Sequence, residues 1–199
     1  MAKRNRKNKN RSFKPDKLII IGSSNTTKIG EFAKFPLSLF NNSKPGGSVL
    51  LSKNNNFVTQ CVPIQRNSLY LIFLSFNHIL KSESQLKTLQ IEFQKRVLQT
   101  LSTLRSFGLK KEQTIICTPL PRFNQTTWAK QIEEGTKLQH KLKALNWTCV
   151  DVYANLHTEL TNEHFFCQKR QDFVHYSSAT LALVAKLANS AVRQHIANL

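Results

Sequence analysis

The chain has 199 residues, 40% of them hydrophobic and 20% charged, a size suited to one domain of ordinary dimensions. Six glycines, six prolines and ample Leu, Ile, Val and Phe exclude collagen-like, mucin-like and wholly disordered chains. Lys and Arg number 29 against 11 Asp and Glu, a formal charge of +18 that favours a polyanionic partner.

The charge is concentrated at the start. Lys3, Arg4, Arg6, Lys7, Lys9, Arg11, Lys14 and Lys17 face one acid, Asp16, giving residues 1–17 a net +7 and leaving +11 for the rest. With Phe13 as its one aromatic residue, this segment cannot bury enough surface to fold alone. Residues 1–16 are therefore expected to be a disordered basic tail, and residues 17–199 the folded domain. Such a tail neutralises phosphates without regard to sequence, which suggests nucleic acid as partner. It would serve equally as a nuclear-localisation segment. No zinc-finger, helix-turn-helix or RNP signature indicates sequence-specific readout.

Beyond the tail, strand-like and helix-like segments alternate. Lys17–Ile21 is a short run of branched apolar residues closed by Gly22. Residues 25–40 suit a partly helical stretch broken at Pro36. A second strand is expected between Gly47 and Val62, at Ser48–Leu51 or at Phe57–Val62. Leu69–Leu74 is apolar throughout, as a strand covered on both faces should be, and is far shorter than the roughly 18 residues of a membrane span. Ser82 and Gln85 form a capping box for a helix whose apolar positions run from Leu86 to Leu104 and which stops at Gly108. Thr114–Cys117 is a further strand, Trp128–Leu145 an amphipathic helix and Trp147–Val152 another strand. Ser177 or Ser178 opens a last helix with Leu181, Val184, Leu187, Ala188, Ala191 and Val192 along one face.

Strands separated by long helices imply crossover connections. The fold class expected is α/β, a three-layer α/β/α sandwich on a mostly parallel sheet of about five strands. Cys61, Cys117 and Cys149 fall in apolar runs, where cysteine behaves as a small buried hydrophobe, and no Cys-x-x-Cys pair occurs. The basic start is followed by too short an apolar block for a secretory signal. A reduced intracellular protein, cytoplasmic or nuclear, is expected. The spacing of Cys167, His164 and His157 fits no common zinc pattern, and no metal or organic cofactor is called for.

In parallel sheets the reactive groups gather beyond the carboxyl ends of the strands. There lie Gly22-Ser23-Ser24-Asn25 after the first strand, Ser75-Phe76-Asn77-His78 after the Leu69–Leu74 strand, and Asp172-Phe173-Val174-His175 on a loop before the last helix. A serine hydroxyl attacks a carbonyl only when a base takes its proton, and a carboxylate orients the imidazole that does so. Ser24, His175 and Asp172 can fill these roles, with Asn77 donating an amide N–H to a developing oxyanion. Each element taken singly is common, since a serine after a strand also caps helices. Asp151 is read as satisfying nearby backbone N–H groups.

The order Gly-x-Ser, Asn, Asp-x-x-His resembles the SGNH (GDSL-type) hydrolase superfamily, across residues 17–197. The resemblance implies an acyl-ester hydrolase with Ser24 as nucleophile, His175 as base and Asp172 as its partner. It further implies an oxyanion hole made by the Ser24 N–H, Asn77 and a glycine, for which Gly47 or Gly46 is nearest. Gly22-Ser23-Ser24 replaces the usual Gly-Asp-Ser but is similar to the Gly-Gln-Ser-Asn of some acetylesterases. A basic segment beside such a domain resembles the esterase domains of LINE-type retrotransposons. The Oskar-like branch, a catalytically lapsed RNA-binding module, is the alternative, and a basic-armed packaging protein a third reading.

Overall fold

A computed structural model describes residues 13–45, 57–75, 86–119, 128–156, 166–167 and 172–199. Five strands build one sheet: β1 (Lys17–Ile21), β2 (Ser38–Asn41), β3 (Ser68–Phe73), β4 (Thr114–Cys117) and β5 (Thr148–Val150). Their order is β2-β1-β3-β4-β5 and every pairing is parallel. Among the described residues the helices are α1 (Phe57–Cys61), α2 (Leu86–Ser106), α3 (Trp128–Ala144), α4 (Val152–Leu156) and α5 (Ser178–Ala197). A separate antiparallel ribbon joins β6 (Phe166–Cys167) to β7 (Asp172–Tyr176).

The doubly covered sheet explains the unbroken apolar runs. Alternate residues of a strand face opposite sides, so both parities must be apolar when helices lie on both faces. Ile19, Ile21, Tyr70, Ile72 and Ile116 pack with Phe57, Phe93, Val97 and Leu138, on the side of α1, α2 and α3. Leu18, Ile20, Leu69, Leu71 and Ile115 pack with Val152, Val184, Ala188 and Val192, on the side of α4 and α5. These two cores make the α/β/α layering expected from the sequence.

Several boundaries differ from the sequence reading. The second strand is Ser38–Asn41, not Phe57–Val62, and the other candidate, Ser48–Leu51, lies outside the described residues. Phe57–Cys61 is instead a helix with Phe57 and Cys61 buried against the sheet. The buried residues are Phe57, Gln60 and Cys61, the i, i+3, i+4 spacing of one helix face. Before Pro36 the chain makes two single 3-10 turns, Ser24–Thr26 and Ile29–Glu31. The expected capping box at Ser82 and Gln85 also lies outside the described residues. At its other end α2 stops as anticipated: Gly108 has φ +97°, and the Leu109 N–H donates to the Leu104 carbonyl.

Burial pushes the Cys61 and Cys149 thiols up to about 12, and the Cys117 thiol is raised in the same way. Neutral buried thiols are hydrophobes, not nucleophiles. Tyr70 carries the polar exception in this layer. Its ring is fully buried and its oxygen accepts the Gln65 backbone N–H at 2.8 Å. Tyr70→Phe keeps the ring and orphans that N–H, so the urea midpoint is expected to fall by the equivalent of about 1 kcal/mol. An unchanged midpoint would mean that water replaces the phenol at Gln65.

Candidate active site

The strand order reverses at β1: its connection leads out to β2, whereas β3 lies on its other side. The segments leaving β1 and β3 therefore diverge, and a crevice opens beyond their carboxyl ends. The residues after β1 occupy it. Gly22 donates its N–H to Gln60 Oε1 at 3.2 Å and accepts from the Lys44 N–H through its carbonyl. Ser23 stands at the cap position of the first 3-10 turn with extended backbone, and its side chain makes no capping bond. Ser24 is the first residue inside the turn. The capping role open to Ser24 in the sequence is thus not the one it takes.

The adjacent serines differ in access. Ser23 is only 2% exposed, whereas Ser24 is half-buried. The turn that carries them is clamped from below. Thr26 Oγ1 donates to the Ser23 carbonyl at 2.9 Å and shares a second hydrogen bond with the Ser43 hydroxyl. Asn41, the last residue of β2, donates from Nδ2 to the carbonyls of Thr26 and Thr27 at 2.8 and 2.9 Å. Side-chain bonds to backbone are how short turns without helical cooperativity keep one shape.

The other half of the candidate site arrives 151 residues later. The Tyr176 backbone N–H, on β7, donates to Asn25 Oδ1 at 3.1 Å. Asn25 is buried and follows Ser24 directly; Tyr176 follows His175 directly. One hydrogen bond thus brings the segments bearing Ser24 and His175 to the same rim of the sheet. His175 itself is exposed. Asp172 and His175 lie on a strand where the sequence suggested a loop. Ser177 then caps α5 by accepting the Thr180 N–H at 3.1 Å, which fixes the far end of the strand.

Under this rim lies a cavity of about 20 Å³ lined by Ser23, Asn25, Ser75, Thr118, Tyr176 and apolar neighbours. That volume and that lining suit a single water. Thr118 links the ends of β4 and β5: its hydroxyl accepts the Val152 N–H at 3.1 Å. Asp151 Oδ1 accepts the Ala154 N–H at 3.0 Å, so this carboxylate does satisfy backbone, as expected.

Asn77, Gly47, and Lys3, Arg4, Arg6, Lys7, Lys9 and Arg11 of the tail lie outside the described residues. Lys14 and Lys17 are described and exposed. Moving the second strand to Ser38–Asn41 alters the position of the glycines along the chain: Gly46 and Gly47 now follow it. The residue that sequence reasoning missed is Asn25. In the sequence it is simply the last residue of Gly22-Ser23-Ser24-Asn25, although asparagine's habit of bonding backbone from turns is a usable signal.

No protein-family model matches this sequence, and no curated protein matches it by sequence. Solved structures do match in fold. A protein described as lipolytic, of the G-D-S-L family, from Desulfitobacterium hafniense superimposes with a TM-score of 0.63 at 14% identity, over 88% of this chain and 99% of that one. Axe2, an acetylxylan esterase from Geobacillus stearothermophilus, gives 0.62 at 14% identity over 90% and 95%. The lipase Lip_vut3 from a goat rumen metagenome gives 0.64 at 16% identity over 88% and 96%. The chain shares the fold of the SGNH/GDSL hydrolases.

Proposed function

We propose that this chain is a serine acyl-ester hydrolase. Ser24 Oγ attacks the ester carbonyl, His175 takes the hydroxyl proton and passes it to the leaving alkoxide, and the acyl group stays on Ser24. Water then attacks the acyl-enzyme, with His175 again as base, and the acid leaves. Asp172 is the proposed partner of the imidazole: three residues apart on a regular strand the two would face opposite sides, and the irregular register of β7, with Tyr176 opposite Phe166 but Asp172 opposite Cys167, interrupts that alternation. The Ser24 N–H, Asn77 and Gly47 (or Gly46) supply the hydrogen bonds to the oxyanion. The observation that carries this reading is the hydrogen bond from Tyr176 to Asn25, whose two chain neighbours are the proposed base and nucleophile. Further support comes from the burial of Ser23, which leaves Ser24 the more accessible hydroxyl after β1.

The basic tail we read as a non-specific contact for nucleic acid, on its charge alone. A fluorophosphonate, which phosphonylates activated serines, tests the catalytic half. One equivalent is expected to add to the wild-type chain, on the peptide containing Ser24, and none to Ser24→Ala. A wild-type chain that remains unlabelled at neutral pH refutes the enzyme and leaves the lapsed, RNA-binding module as the reading. Among the described residues no helix is long and apolar enough to cross a membrane.

A further inference from the structure

The crevice lies at the carboxyl ends of the strands, and hollows larger than the cavity beneath it open at the amino ends. Two grooves there, of about 590 and 600 Å³, share Glu112 as a wall. The first is lined by Phe13, Ile64, Arg66, Phe107 and Lys110 among others. We infer that this groove seats single-stranded nucleic acid, with a base stacked on Phe107 and phosphates against Arg66 and Lys110.

Phe107 is the first reason. It is 55% exposed, in the turn that ends α2, where Gly108 reverses the chain and leaves the ring outside the core. The core cluster under that turn is closed by Leu104 and Leu109 instead. An exposed aromatic ring beside cations is the minimal platform for an unpaired base, because every base offers a π-face. Charge is the second reason. Arg66 and Lys110 line the groove and are exposed; Arg105, Lys14 and Lys17 lie on the segments around it. A cation near a helix carboxyl end also offsets the helix dipole, which accounts for Arg105 at the end of α2. Arg66 has no such duty: it lies in the connection before β3 and forms no ion pair among the described residues. Glu112 is the acid of the groove, and its 3.9 Å approach to Lys110 is a long, exposed pair worth little.

Chain direction is the third reason. Phe13, a wall of the groove, is the residue at which the tail joins, so Lys3, Arg4, Arg6, Lys7, Lys9 and Arg11 precede this surface in sequence. A strand stacked in the groove would have six further cations tethered beside it. Because groove and crevice lie at opposite ends of the sheet, nucleic acid and ester would not compete for space. The inference rests on the nucleic-acid reading of the tail and is independent of the esterase reading.

Fluorescence anisotropy of a labelled fifteen-nucleotide oligouridylate, titrated with the full chain across a salt series, tests it. Phe107→Ala is expected to raise Kd at least about fivefold at every salt concentration, with the salt slope unchanged. Arg66→Gln combined with Lys110→Gln is expected to flatten the slope by about 1.4, for two lost phosphate contacts. Phe107→Leu, which keeps apolar bulk without a stacking face, is expected to bind as poorly as Phe107→Ala and guards against a folding defect. Should wild type bind and all three variants match it, the tail alone is the binding element and the groove is excluded. If wild type fails to bind oligouridylate, the nucleic-acid reading itself falls. Retention of oligouridylate with loss of binding to phosphatidylserine vesicles in Phe107→Ala would make the groove a membrane contact and overturn the inference.

Discussion

Ser24→Ala is expected to lower kcat/KM for a short-chain chromogenic ester by at least about a thousandfold, while the thermal midpoint stays within about a degree of wild type. The asymmetry follows from where Ser24 sits. Its backbone is fixed by bonds that do not use its side chain: its carbonyl accepts from the Thr27 hydroxyl at 2.8 Å, and its neighbours are held through Thr26 and Asn25. Removing the half-buried hydroxyl leaves this framework intact and takes away only the attacking atom. Residual turnover would come from the oxyanion donors and from binding. Turnover equal to wild type, in a variant that melts normally, would show that ester cleavage in this chain does not pass through Ser24. A parallel loss at Ser23→Ala would be a different result. Ser23 is buried at the cap position, so a defect there would be structural and would appear as a lower melting temperature.

Gly22→Ala is expected to be the more damaging change although it adds one carbon. A Cβ at Gly22 would meet Thr26 Oγ1 at 2.2 Å, with the Thr26 Cβ and Cγ2 at 3.1 and 3.2 Å. Thr26 is 4% exposed and its hydroxyl bonds the Ser23 carbonyl, so it cannot swing away without opening the turn. Overpacking of this kind costs about 1–3 kcal/mol, to which the broken Thr26 bonds add, so the urea midpoint should fall clearly. Turnover should fall with it, since the turn that must move carries Ser24. Gly22→Ala combined with Thr26→Ala is expected to recover part of the stability, because it removes the atoms in collision. Gly30→Ala provides the contrast. Its Cβ meets the Cδ2 end of the Leu39 side chain at 2.5 Å, and Leu39 is exposed on the edge strand and free to rotate. Near-neutral behaviour is expected there, and equal damage at both glycines would contradict the collision argument.

The sequence displayed the central strands because burial on both faces forces both parities to be apolar: Lys17–Ile21 and Thr114–Cys117 coincide with β1 and β4. It concealed β2 for the opposite reason. Ser38–Asn41 is an edge strand with Ser38, Leu39 and Phe40 exposed, so no buried face imprinted a pattern on it. The position of this strand also bears on the oxyanion glycine, which is expected to follow it. Gly46 and Gly47 fit the order of elements only once the strand is moved upstream. The segments after β1 and before α5 can be singled out by a topological rule, independent of exact boundaries. The contact that joins them cannot. A hydrogen bond between Asn25 and a backbone group 151 residues away leaves no local periodicity to read.

Ser24 and His175 are secured very unequally. Ser24 leaves a central strand whose residues Leu18, Ile20 and Ile21 are wholly buried, so its surroundings open only when the whole sheet does. His175 stands on a two-stranded ribbon, an element of marginal stability in isolation, whose described ties to the body include the Tyr176–Asn25 bond, the packing of Tyr176 against the α4–α5 core and the capped start of α5. Warming would therefore detach the ribbon before the sheet melts. Heat inactivation and global unfolding would then be two transitions, the first reversible on cooling and invisible to a probe of the core.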